Sequence, residues 1–228
     1  MQNGEWRMKA TRATGQQAKR ATKPITAILL DPSEVRRGSE AFRSREKRDA
    51  MYRVATFLVN HYWGAPSDMA DGLGVLLLTW NQALYRYGSF DFDALERVLR
   101  QELPRLSKFR AREIASFAGA DEPAISELFS RFLSALQIAD GKKKGVKSPV
   151  AVAKALHLLA PRFFPLWDDK IAKAYDCSYT NRPAAKYLAF MRISSDQAGQ
   201  LEGVVTDEWG VLKIIDEYNY AKFTKAWV

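Results

Sequence analysis

The chain has 228 residues but only one cysteine, Cys177, and two histidines, His61 and His157. A single thiol excludes an intrachain disulfide framework, a cysteine-based zinc site and a four-cysteine iron–sulfur cluster within the chain. Neither histidine stands at metal-ligand spacing from acids, so no metal is expected. A P-loop, a dinucleotide fingerprint and a defensible Ser-His-Asp arrangement are also missing, and no cofactor is expected. Long apolar runs are absent too. The longest, Val75–Leu78 with its flanks, is far too short to span a bilayer, so no membrane partner is expected. The N-terminus has charges but lacks the apolar core of a signal peptide, which makes a cytoplasmic protein the expectation. There is no series of alternating β-type segments and no internal repeat. What remains is an all-α class.

Charge of one sign is in excess. Lysine and arginine number 35 against 26 aspartate and glutamate, a formal net charge of +9. Such a surface concentrates polyanions, with nucleic acid the first candidate and an anionic membrane surface the second. Part of the excess lies at the start, where Arg7, Lys9, Arg12, Lys19, Arg20 and Lys23 face Glu5 alone. Residues 1–24 therefore read as a flexible basic arm that adds non-specific phosphate affinity. Residues 25–228 read as a single domain, expected as a monomer.

Helical periodicity governs that domain. Ser39–Trp63 has a charged start and an apolar finish at three-to-four spacing. Leu73–Tyr87 is strongly apolar and ends at Gly88. Asp91 caps Phe92–Glu102, which Pro104 is expected to break. Further helices are expected over Ser107–Ala118, Glu122–Ile138, Val150–Ala160, Asp168–Tyr175, Pro183–Arg192 and Glu208–Trp227.

The chemistry gathers in one stretch. Lys142, Lys143, Lys144 and Lys147 surround Gly145, and Ser148-Pro149 is a cap-plus-first-turn signature for the helix that follows. A glycine turn lets backbone N–H groups approach phosphate, and the helix start adds partial positive charge. Lys142, Lys143, Lys144, Gly145, Lys147 and Ser148 are thus candidate DNA-binding residues. After the helix, Phe164-Pro165-Leu166-Trp167 leads to Asp168 at the mouth of the next helix. A helix N-terminus favours an ionised carboxylate, and an ionised carboxylate beside a sugar can stabilise positive charge at C1′ or orient water. Asp168 is the candidate catalytic residue. Asp169 should point elsewhere. Asn81 and Gln82, two amides after an apolar run, and the aromatics Tyr85 and Trp167 are candidates to contact or replace an extruded base.

These segments resemble the helix-hairpin-helix DNA glycosylase superfamily. Gly145–Ser148 with its spacer helix is similar to the family's Gly-Val-Gly turn, and Trp167-Asp168-Asp169-Lys170-Ile171 to its Val-Asp-x-x-Val segment. Upstream, Phe109-Arg110-Ala111-Arg112-Glu113-Ile114 is similar to its Tyr-Arg-Ala-Lys/Arg-x-Ile segment, and Leu76–Gln82 to its apolar helix ending in polar residues. The resemblance covers about residues 70–176. It implies an all-α, two-lobed helix-hairpin-helix glycosylase-like fold, with residues 67–160 as one lobe and 25–66 plus 161–228 as the other. It also implies hydrolysis of the N-glycosidic bond of a damaged or modified base in double-stranded DNA, leaving an abasic site. Some bacterial members act in anti-phage defence on modified cytosines of viral DNA. Lys147 replaces the second hairpin glycine, and Pro149 stands where lyase-competent members carry an imine-forming lysine. A monofunctional enzyme follows. A non-enzymatic DNA- or RNA-binding protein on the same scaffold is the alternative; it needs the basic turn but not Asp168.

Overall fold

The computed structural model describes residues 29–46, 49–203 and 210–228. The basic arm expected over 1–24 lies outside them. Among the described residues the protein is all-α, with no strand. None of the helices among the described residues is long and apolar enough to cross a membrane.

Local chemistry explains most helix starts. The first helix, α1 (Pro32–Arg45), opens with Pro32 behind Asp31, whose carboxylate accepts the Ser33 amide at 2.9 Å. The chain does not run on as one helix through Trp63. At Glu46 the backbone turns extended, and the Glu46 carboxylate accepts the Tyr220 hydroxyl at 2.8 Å. A separate α2 (Asp49–His61) follows, then α3 (Pro66–Trp80) and the single turn α4 (Gln82–Tyr85).

The helix α5 (Phe92–Arg110), capped by Asp91, continues through Pro104. Beyond the proline, Leu106 and Phe109 are buried. Burying two such side chains contributes about 3–6 kcal/mol, enough to offset the roughly 3 kcal/mol that an interior proline costs. The helix expected over Ser107–Ala118 therefore does not form as such. Its first turn belongs to α5, and only a 3-10 turn, Ile114–Ser116, follows. Arg112 stitches that loop, donating to Asp121 at 2.7 and 2.8 Å and to the Ser116 carbonyl at 2.7 Å.

The remaining helices are α6 (Glu122–Ala135), α7 (Pro149–Leu159), α8 (Asp169–Ala174), α9 (Pro183–Leu201) and α10 (Val211–Asn219), the last passing into a π turn, Tyr220–Thr224. Helix α7 is the central one, buried at almost every position from Ala151 to Leu159, and packed on α2, α3, α6 and α9. Helix α1 lies on α10, whereas α2 lies on α3 and α7. One apolar core runs through the described residues, from Val35 to Tyr218.

Candidate functional site

The segment Phe163–Trp167 is fixed from all sides. Phe163 and Phe164 pack around Phe109. The Phe164 carbonyl accepts from His157 Nδ1 at 2.8 Å, and the Pro165 carbonyl accepts the Tyr187 hydroxyl at 2.9 Å. Trp167, 1% exposed, is enclosed by Phe129, Tyr179, Tyr187 and Phe190. A segment held this firmly delivers the next residue, Asp168, to one place.

Asp168 caps α8. Its Oδ1 accepts the Ile171 amide at 2.7 Å, and its Oδ2 accepts the Thr224 hydroxyl at 2.9 Å. Each carboxylate oxygen has a second lone pair for other work. Asp168 is half-buried and lines a cleft of about 580 Å³, a volume within the range of small-molecule sites. The cleft wall also includes Trp80, Asn81, Lys154, Asp216 and Tyr220. Asp169 sits at the rim, exposed and paired with Lys173 at 2.6 Å.

The polar groups of the wall are poised unequally. Lys154 donates to the Trp80 carbonyl at 3.1 Å and to Asn81 Oδ1 at 2.6 Å. Asn81 is 8% exposed, and its Nδ2 finds no partner among the described residues; Trp167 Nε1 finds none among them either. A buried N–H left unpaired costs about 1–3 kcal/mol, and both donors belong to residues that line the cleft. Trp80 stacks on Tyr52 at 5.9 Å. Burial pushes the Asp216 carboxyl up to about 7, and the charges of Asp168 and Glu217 push the same way against Lys213 and Lys154.

The residues singled out from sequence part company here. Asp168, Asn81, Trp167 and Ser148 all line the cleft. Gln82 is exposed and is not part of that wall. Tyr85 is turned into the core, where its hydroxyl donates to the Leu136 carbonyl at 2.9 Å. The break at Asn81 causes this: α3 stops, and α4 restarts with a different face inward. Lys142, Lys143, Lys144 and Lys147 are exposed on their turn, with Lys143 Nζ 3.8 Å from the centre of the Tyr87 ring. Gly145 adopts a φ of +83°, as a tight turn needs, but its amide donates to the Ile138 carbonyl at 2.8 Å, and the Val146 amide to the Lys143 carbonyl at 3.0 Å. Those two amides are committed inside the turn. Ser148 caps α7 by accepting the Ala151 amide at 3.1 Å.

Asp216, Thr224, Tyr220 and Lys154 are the site residues that sequence reasoning passed over. A signal did exist for the first. Asp216 stands with Lys213 and Glu217 on a helix whose other positions are largely buried, where charged side chains are out of place unless paired or used. No protein-family model matches the chain, and no curated protein or solved structure matches it. The chemistry of the cleft carries the functional reading.

Proposed function

We propose that this protein is a monofunctional DNA glycosylase on a two-lobed helix-hairpin-helix scaffold, hydrolysing the N-glycosidic bond of a damaged or modified base in duplex DNA. One observation carries the reading. A half-buried carboxylate, Asp168, is locked by a helix N-terminus and a hydroxyl at the wall of a cleft of about 580 Å³, beside the unpaired donors of Asn81 and Trp167. An extruded nucleotide in that cleft would place acceptor atoms of its base on those donors and its sugar against Asp168. As the bond to C1′ breaks, positive charge grows on the sugar, and a fixed carboxylate stabilises it without reorganising. Water then completes the hydrolysis. The lysine turn next to the α7 N-terminus would hold the DNA backbone.

The test is a panel of duplex oligonucleotides bearing oxidised, alkylated or modified-cytosine bases, incubated with the full chain and then treated with alkali. Strand breakage at the modified position is the expected result, and the base that reacts separates repair from defence against foreign DNA. If every duplex stays intact while still being bound, the non-enzymatic reading replaces this one.

Two further results are expected. Replacing Lys142, Lys143, Lys144 and Lys147 by Ala should weaken duplex binding across sequences. It should also flatten the dependence of log K on log salt by about 0.9 for each lost phosphate contact. An unchanged slope in fluorescence anisotropy would place the footprint elsewhere. Borohydride should trap no covalent adduct. Pro149 cannot form an imine, and Lys154 Nζ is engaged by the Trp80 carbonyl at 3.1 Å and by Asn81 Oδ1 at 2.6 Å. A strong adduct lost in Lys154→Met would make Lys154 the nucleophile.

A further inference from the structure

We infer that Asp216 is the general acid of this cleft, giving its proton to the departing base while Asp168 remains ionised. The inference rests on the glycosylase reading and adds a second catalytic residue to it. Its basis is geometric. Asp216 projects from α10 into the same cleft as Asp168, which enters from the start of α8. Two carboxyl groups facing one small space do not both ionise readily.

The charged groups nearest Asp216 also hold other partners. On its own helix, Lys213 Nζ lies 3.1 Å from Asp49 and 3.5 Å from Glu217. Glu217 is further held by Ser39 Oγ at 2.5 Å and Arg43 Nε at 2.9 Å, both from α1. From α7, Lys154 turns to Trp80 and Asn81. Glu46, Lys170 and Lys225 stand further along the cleft. None of the ion pairs among the described residues includes Asp216. Burial, with the Asp168 and Glu217 charges adding to it against Lys213 and Lys154, pushes its pKa up to about 7, while Asp168 accepts from the Ile171 amide and the Thr224 hydroxyl. Environments that drive two carboxyls apart assign one as acid and the other as base.

The step balances. The Asp216 proton passes to the base atom that receives the electron pair of the breaking C1′–N bond. Water oxygen bonds to C1′, its proton goes to a free lone pair of Asp168, and exchange with solvent restores both carboxyls. Nothing is oxidised or reduced.

Two measurements test this on the full chain. Carbon-13 NMR of carboxyl-labelled aspartate should give a resonance with a midpoint near 7 that disappears in Asp216→Asn and moves down in Asp168→Asn. A midpoint below about 5, the ordinary carboxylate range, would overturn the assignment. This measurement needs no substrate, so it decides the protonation state even if no oligonucleotide is cleaved and the glycosylase reading falls. On a duplex the wild type cleaves, Asp216→Asn should slow base release about a hundredfold and remove the loss of rate above neutral pH, and Asp216→Glu should recover part of both. An unchanged pH profile in a folded Asp216→Asn protein would remove Asp216 from the chemistry and leave the role of Asp168 standing.

Discussion

Asp168→Asn is expected to slow base release about a thousandfold, the scale of removing a preorganised charge from a transition state, while the protein stays folded. Both parts of the expectation come from the same two contacts. Asparagine keeps an oxygen for the Ile171 amide, now held at 2.7 Å, so α8 retains its cap. The new Nδ2 replaces an oxygen that accepts from Thr224 at 2.9 Å, and the hydroxyl can rotate to accept instead of donate. The stability loss should be about 1 kcal/mol or less. The charge is gone, however, and with it the partner of the developing oxocarbenium. Duplex binding should persist or tighten, because a negative charge near phosphate has been removed. Asp169→Asn is the internal control: that carboxylate is exposed and paired with Lys173, so its loss should scarcely change the rate. Single-turnover measurement of alkali-labile sites separates the two. Near-wild-type excision by Asp168→Asn, or an indispensable Asp169, would defeat the reading.

Asp168 was legible in the sequence because capping is local. An aspartate at a helix start, like Asp91 before α5 or Ser148 before α7, is recognised from a few neighbouring residues, and the structure has each of them accepting a backbone amide of its helix. The all-α class was legible for the same reason, since apolar periodicity belongs to each segment alone. Where distant contacts set the outcome, the sequence misled. Pro104 reads as a helix stop, yet Leu106 and Phe109 beyond it pay into the core strongly enough to carry α5 through. Ser39–Trp63 reads as one helix, yet the chain breaks where Glu46 meets Tyr220, far away in sequence. The cleft is the extreme case. Its wall is drawn from the end of α3, the start of α7, the cap of α8, the middle of α10 and the π turn. No local pattern joins Asp216 or Thr224 to Asp168. Asn81 was legible as a polar residue closing an apolar run, but its use was not: its Oδ1 holds Lys154, and its Nδ2 has no partner among the described residues.

The largest pH effect on stability is expected from His157, which is buried beside this wall. Its Nδ1 lies 2.8 Å from the Phe164 carbonyl, which can only accept, so Nδ1 carries the proton. Nε2 then accepts from the Tyr52 hydroxyl at 2.8 Å. The neutral ring is thus fully satisfied, and burial holds its pKa down to about 4 from an ordinary 6.5, with the Lys213 charge adding to the effect against the Phe164 hydrogen bond. The sign follows from which state takes the proton. Above 6.5 the ring is neutral in both states, and the full stability is present. Between 6.5 and about 4 only the unfolded chain binds the proton, so stability falls as the pH falls. The loss is complete below the lower value and amounts to about 3 kcal/mol. Asp216 works in the opposite direction. Its raised pKa means that acidification from about 7 favours the folded state, and the raw pH profile therefore mixes the two. A His157→Gln variant isolates the histidine. Urea unfolding of both proteins from pH 7.5 to pH 4 should show the wild type losing about 3 kcal/mol relative to the variant, with the change centred between 4 and 6.5. A parallel pair of profiles would mean that His157 titrates alike in the folded and unfolded states. Because Tyr52 stacks on Trp80, protonation at His157 should also loosen the cleft wall, so base release should decline through the same window before the protein unfolds.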